Sequence, residues 1–451
     1  MPDRTKLWES AKHVTESITH QSAEARLVAE HRAMLGAALN GSNAFLHERR
    51  RSAVEEFERL GFPAPKDESY KYTRIGRLFQ GEYAVDADAP PISQSQIDAL
   101  EVPDLDAHRL VVVNGHFQPE HSRIGSLPPG VIAGGLQDAS ASHPDVLNRF
   151  VSKFTATDAD PFEALNTAFV RDGIFIFVPR GKTVEKPFHI LNLVSVKSPT
   201  LVQPRVVVAA ESGAAVSVIE SSVAVDSVSP TLNAVSELYA DTDAFVDYYR
   251  LQLDHKAGTV VTTTNVYQQS TSNARTTTIT LGGRVVRNNL RFLPDGEHCE
   301  THLMGLVVAN GSMHVDNHTS VDHARPNCVS NELYKNILAD QSTGVFNGRV
   351  LVRQDSQKTQ AYQSNRAVVL SDDARMYSKP ELEIYADDVM CSHGAATGRI
   401  DPESIFYLRS RGLSLEDARK MMLQAFSRDV TDSIRVAPLR EYVDQLVRQR
   451  L

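Results

Sequence analysis

From about residue 173 to about residue 395 the chain breaks into short apolar or alternating runs rich in Val, Ile, Thr and Tyr. Gly, Asn, Asp and Ser separate them. IFIFVP, FHILNLVSV, RVVVAA, GTVVTTTNVY, RVVRNNLRFL, GVFNGRVLV, RAVVL and LEIYADDV are examples. β-Branched and aromatic side chains fit a pleated surface and the separators favour turns, so each run reads as a strand. A sandwich or barrel closes before it takes up so many strands. A stack in which each repeat touches only its neighbours has no such limit. The expected core is therefore a β-solenoid, although no crisp consensus repeat recurs.

The flanks read differently. At 451 residues the chain exceeds what one hydrophobic core usually serves, so several folded units are expected. AEARLVAEHRAMLGAAL and AFLHERRRSAVEEFERLGF are built of strong helix formers, and Gly61, Pro63 and Pro65 stop the second. DADAPPISQSQ reads as a linker or loop, and LVVVNGHF as a strand entering a turn at Asn114-Gly115. Asp160-Pro161 opens a helix over DPFEALNTAFVR, with Asp160 as N-cap. Beyond Ile400, Asp401-Pro402 starts another helix, Gly412 ends it, and Ser414 with Asp417 starts the next. There Leu415, Met422, Phe426 and Val430 recur near helical spacing, a face suited to docking on the protein's own core or on a partner. The expected division is a helical and mixed region over 1–172, a β core over 173–398 and a helical region over 399–451.

Composition excludes several functions. With 47 Lys and Arg against 56 Asp and Glu, the net charge of −9 does not attract phosphate backbones, so no nucleic-acid partner is expected. The basic run HERRR is followed at once by VEEFE, the pattern of a solvated helix face. No apolar run approaches the roughly 20 residues that cross a bilayer, and the N-terminus lacks a basic-then-apolar signal pattern. Three cysteines, Cys299, Cys328 and Cys391, form no CxxC pair, which fits a reducing cytoplasm.

Two stretches carry residues suited to chemistry. GSMHVDNHTSVDHARPNC holds His314, His318 and His323 with Asp316, Asp322 and Cys328. On a helix His314 and His318 would share a face, but in β surroundings they lie about 13 Å apart at roughly 3.3 Å per residue. His323 then faces the other way by parity. The second stretch is Cys391-Ser392-His393. On a continuing strand Cys391 and His393 share one face about 7 Å apart. Thiolate and imidazole both suit iron, yet two ligands cannot hold a cluster alone, and a buried thiol beside a strand-end histidine is the plainer alternative. No phosphate-binding loop, nucleophile elbow or HExxH helix occurs.

Long blocks carry a family resemblance. HVDNHTSVDHARPNCVSNELYKNILAD and GVFNGRVLVRQDSQKTQAYQSNRAVVLSDDARMYSKPELEIYADDVMCSHGAATG resemble the SufD family of iron–sulfur cluster assembly proteins. LGFPAPKDESYKYT, ALNTAFVRDGIFIFVPRG and IFYLRSRGLSLEDARKMMLQAF do so too, in the family's order over nearly the whole chain. The match is weakest over residues 1–40 and about 200–290. The resemblance implies a right-handed parallel β-helix between an N-terminal helical part and a C-terminal helical domain. It implies a non-catalytic scaffold in the cytoplasm, paired with a SufB-like paralogue and a SufC-like ABC ATPase. A nascent cluster would form at the interface of the two scaffolds.

In the CSHG motif the resemblance makes His393 a cluster or iron ligand, with Cys391 beside it. In IFYLRSRG it places the ATPase contact at Phe406, Tyr407, Arg411 and Gly412. Leu408 stands where SufB-like chains tend to carry cysteine, which favours the SufD type. The iron–sulfur cluster or iron is then transient at the interface, and no tightly bound cofactor is expected in the isolated chain. Edge strands of a solenoid pair with a copy as readily as with a paralogue, so an isolated homodimer is compatible. The rival readings are a polysaccharide-acting β-helix enzyme and a cytosolic metal-binding β-solenoid enzyme using the 314–323 histidines.

Overall fold

The computed structural model describes residues 22–37, 44–85, 92–225, 228–253 and 258–451. The first 21 residues, the last two of AEARLVAEHRAMLGAAL and the first six of DADAPPISQSQ lie outside them. The chain folds around two sheets filled by alternate strands. One runs through Ile174–Val178, Arg205–Ala210, Thr231–Ala240, Thr259–Gln268, Val285–Pro294, His314–His323, Thr343–Val352 and Arg375–Ile384. The other runs through Phe188–Val194, Ala215–Ala224, Phe245–Gln252, Asn273–Thr280, Glu300–Ala309, Val329–Leu338, Gln360–Val369 and Met390–Gly398. Neighbours along each of these runs are parallel. Residues 29 apart, such as Arg287 and Asp316, therefore stand side by side on successive rungs. This is a β-solenoid.

Thr231–Ala240 and Val329–Leu338 are strands although neither reads as one from alternation. Both faces of each are covered, so polar residues occur on both and the period of two is blurred. Asn233 donates to the Phe162 carbonyl, Glu237 pairs with buried Arg205, and Lys335 reaches a C-terminal helix. The run LEIYADDV also departs from expectation: its strand stops at Ile384, and the following residues turn the chain.

The repeat missing from the side chains is present in the backbone. Gly213, Asp243, Thr271, His298, Asn327 and Lys358 all have positive φ, and each stands two residues before a strand of the second sheet. The Asp243, Thr271 and Asn327 amides each donate to a carbonyl of the next rung, at 3.0, 2.8 and 2.9 Å. Those ladder bonds offset a conformation that costs a non-glycine residue about 1–2 kcal/mol.

Local signals at the helix ends are borne out. Asp160 accepts from the Phe162 and Glu163 amides, Asp401 from Glu403 and Ser404, and Ser414 from Asp417. Asn114 and Gly115 form the expected tight turn, both with positive φ. The second half of DADAPPISQSQ is not loop: Ser93 and Gln96 make a reciprocal capping box on a short helix, Gln94–Asp98.

The helical ends cover the outer faces of the solenoid. Ala23–Ala37 and Ala44–Leu60 join a core with Phe62, Tyr70, Phe79, Phe162, Leu201 and Val261. Leu415–Thr431 and Ala437–Arg450 pack on the second sheet through Leu423, Val430, Leu439, Val443 and Val447. The docked stripe is Ala418, Leu423, Ser427 and Val430, so of the four expected residues only Val430 is fully buried. Phe426 packs at its margin and Leu415 is exposed. Lys335, itself 3% exposed, reaches the Phe426 carbonyl at 2.7 Å and Asp429, with its ammonium over the Phe426 ring. No helix among the described residues is long and apolar enough to cross a membrane.

Candidate functional site

The solenoid ends in the strands Arg375–Ile384 and Met390–Gly398, one on each sheet. Met390–Gly398 pairs with Gln360–Val369 on one side and leaves its other edge open. Register puts Cys391 over Ala361 and His393 over Gln363. Ala361 and Gln363 have the parity of Ser330, Glu332 and Tyr334 on the rung below, and Tyr334 belongs to the hydrophobic core of the lumen. Cys391 and His393 therefore share the lumen face of the last rung, as strand parity predicts. His393 is exposed and Cys391 half-buried. Burial pushes the Cys391 thiol up.

Beneath His393 the lumen turns polar. Leu303, Glu332, Gln363 and His393 form one column across four rungs. Gln363 Nε2 donates to Glu332 Oε2 at 2.9 Å, and both side chains are buried. Burial pushes the Glu332 carboxyl up to about 7. Across the lumen stands Gly348, where a Cβ would collide with the Gln363 amide and the Phe346 ring. The sequence reading does not single out Glu332 and Gln363. Their only signal is a spacing of 31 residues, which becomes visible once the register is known.

The histidine-rich stretch has a structural role in this chain. It forms the strand His314–His323, with His314, Asp316 and His318 on the outer face and His323 in the lumen. Thr73, from the N-terminal region, donates to Asp316 and lies 2.7 Å from His314 Nε2. Arg287 pairs with Asp316 at 2.7 Å and His318 approaches it at 3.1 Å. Burial raises the Asp316 carboxyl, but Arg287 and His318 outweigh it and hold the group well below the usual carboxylate range. His323 lies 2.9 Å from the Ser330 hydroxyl, and burial lowers its pKa to about 4. Among the described residues no three His, Cys, Asp or Glu side chains are grouped to hold a metal ion.

Cys299 and Cys328 occupy adjacent rungs at a corner, both fully buried. Each donates to the Gly296 carbonyl, at 3.2 and 3.1 Å. Its hydrogen bond to the Cys299 sulfur and burial together push the Cys328 thiol up. They lie on rungs below Cys391, away from the open edge.

Of the other candidate residues, Phe406 and Tyr407 lie on the short helix Pro402–Ser410, which buries none of its side chains, and Arg411 and Gly412 follow at its C-terminal end. Phe406 is 76% exposed and Tyr407 57%. Arg411 stacks its guanidinium over the Tyr407 ring, 5.3 Å from the centroid. Gly412 has φ +95, the left-handed residue that ends the helix. Beside it Ile400, Ile405, Leu415 and Leu423 line a groove of about 820 Å³ rimmed by Arg419 and Lys420. The His393 and Phe406 sites are thus on different elements, one at the solenoid rim and one on the helix that follows it.

Residues 193–426 match the family described as SUF system FeS cluster assembly, SufBD core domain. Residues 21–190 match the SufBD protein N-terminal region. An iron–sulfur cluster assembly SufBD family protein of Synechocystis is 32% identical, over 90% of this chain and 91% of its own. The iron–sulfur cluster assembly protein SufD of Escherichia coli is 30% identical over 88% and 91%, and that of Bacillus subtilis 25% over 90% and 94%.

Proposed function

The chain belongs to the SufBD family, whose role is iron–sulfur cluster assembly, and from that premise we propose that it is a SufD-type scaffold offering His393 to a nascent cluster at the face it shares with a SufB-like paralogue. The observation that carries this is the place of His393. It is exposed on the lumen face of the terminal rung, next to an unpaired strand edge. Ile384, Tyr385 and Met390 add exposed apolar side chains to the same end, as a partner-binding face requires. The remaining ligands come from the partner, and the cluster is cargo rather than a resident group. A neutral imidazole adds no charge where a thiolate adds one, which favours release to an acceptor.

In this reading Cys391, half-buried two residues before His393 on the same face, stands beside it at the cluster face. Residues 399–451 carry the contact with a SufC-like ABC ATPase, centred on Phe406, Tyr407, Arg411 and Gly412. Residues 173–398 carry the cluster face, and within 1–172 the helices Ala23–Ala37, Ala44–Leu60 and Pro161–Phe169 cover the first sheet. The chain itself catalyses no reaction, works in the cytoplasm, and pairs with a second copy through the same rim when the paralogue is absent.

The test is anaerobic cluster build-up on the complex reconstituted with the paralogue and the ATPase. His393→Ala should leave the complex assembled at unchanged stoichiometry and abolish the visible absorbance of the cluster. Normal build-up on that variant would remove His393 from the site.

A further inference from the structure

The buried amide below His393 has one arm fixed and one arm free. Gln363 is 3% exposed, and its Nε2 donates to Glu332 Oε2 at 2.9 Å on the rung beneath. Oε2 is then the oxygen of the neutral Glu332 carboxyl that carries no proton, and the Gln363 amide is assigned with its NH₂ end toward it. Gln363 Oε1 is then a buried acceptor with no partner among the described residues. Leaving such an acceptor unpaired costs about 1–3 kcal/mol by general experience. The strand Gln360–Val369 has one neighbour on each side, Val329–Leu338 below and Met390–Gly398 above. The residue above, in register with Gln363, is His393. An imidazole always carries at least one ring N–H, the donor this acceptor lacks. Gly348 keeps the facing strand clear, so the amide fits across the lumen.

We propose that the exposed His393 ring, in register above Gln363 but not bonded to it in this structure, turns one ring N–H onto Gln363 Oε1, so that Gln363, anchored by Glu332, is a positioning residue that decides which imidazole nitrogen presents its lone pair at the rim. The step rests on the reading of His393 as an iron ligand. The hydrogen bond needs only this chain's own residues, so it forms whether or not iron binds. Ligating histidines are generally held this way, the second nitrogen tied to a protein acceptor that sets tautomer and ring angle.

The test uses the full chain labelled with ¹⁵N-histidine. Two-bond ¹H–¹⁵N spectra report the tautomer of His393, whose signals are identified by their loss in His393→Gln. The wild-type ring should hold one tautomer. Gln363→Leu should weaken that preference about fivefold, the worth of one net hydrogen bond, and Gln363→Glu, which keeps an acceptor, should restore it. Glu332→Leu, which frees the amide to turn over, should weaken the preference as well. If Gln363→Leu does not fold, Gln363→Met keeps the volume and the absence of an acceptor. A His393 tautomer ratio unchanged in Gln363→Leu or Gln363→Met overturns the proposal.

Cluster build-up on the reconstituted complex separates the two levels. Loss in His393→Ala with wild-type behaviour in Gln363→Leu keeps the ligand and discards its positioning residue. Normal build-up in His393→Ala discards the ligand, while the tautomer measurement still decides the hydrogen bond.

Discussion

Glu332 sits in the lumen with its carboxyl raised to about 7 by burial, against an ordinary value of 4.5. A raised carboxyl binds its proton more tightly in the folded state than in the unfolded one. Stability contributed this way is intact below about 4.5 and lost as pH climbs toward 7, where the folded carboxyl must ionise in a dry site. The full loss is about 3 kcal/mol at 1.36 kcal/mol per unit. Glu332→Gln keeps an acceptor for Gln363 Nε2 and cannot ionise. Relative to wild type, it should gain about 2.5 kcal/mol between pH 5 and pH 8 in urea unfolding. A constant difference across that range would show that Glu332 ionises normally. Arg205 with Glu237 shows how other buried charges are kept: each has its partner at hydrogen-bond distance. Glu332 faces an amide instead, and its proton is the substitute for a counter-charge.

Between one element and the next, the docking of Leu415–Thr431 rests on few polar contacts. Lys335 lies on the outer face of its strand, reaching the Phe426 carbonyl and Asp429 on the helix. Asp429 is 58% exposed, so solvent screens the ion pair. The carbonyl contact and the ring beneath the ammonium carry more of the anchoring. Lys335→Met keeps the aliphatic stem and deletes the charge. It should weaken docking by about 1–2 kcal/mol and speed amide exchange in residues 415–450, while exchange in the strands stays slow. Equal acceleration throughout would mean that helix and solenoid open as one unit. The inner solenoid strands behave oppositely, each being locked by backbone bonds to rungs on both sides.

Across the whole molecule the solenoid has two covered sheet faces and one open end, with the exposed helix Pro402–Ser410 immediately after that end. The proposed cluster face and the proposed ATPase contact are thus joined by a few residues, Arg399 to Asp401, so force on the helix reaches the terminal strand directly. Phe406 makes no buried contact to lose. Phe406→Ala should leave the melting temperature unchanged, surface substitutions usually staying within about 0.5 kcal/mol. In a pull-down it should reduce capture of the ATPase at least tenfold, because an exposed aromatic of this kind is a typical interface anchor. Undiminished capture would move the contact to the neighbouring groove lined by Ile405, Leu415 and Leu423.

The sequence by itself determined whatever depends on neighbours along the chain. β-Branched runs gave a many-stranded core, Asp160, Asp401 and Ser414 marked helix starts, and parity put Cys391 with His393 and turned His323 away from His314. What it could not decide were contacts between residues far apart in sequence. Glu332, Gln363 and His393 stand in one column because loops of unequal length bring three strands into register, and no local pattern encodes that sum. For the same reason Thr73 reaches His314 and Asp316 across 241 and 243 residues, making a structural joint of a stretch rich in metal-ligand residue types. Strands buried on both faces lose the alternation that reveals them, which hid Thr231–Ala240 and Val329–Leu338. Side-chain direction is a local property of the strand; the rung above and the rung below are properties of the fold.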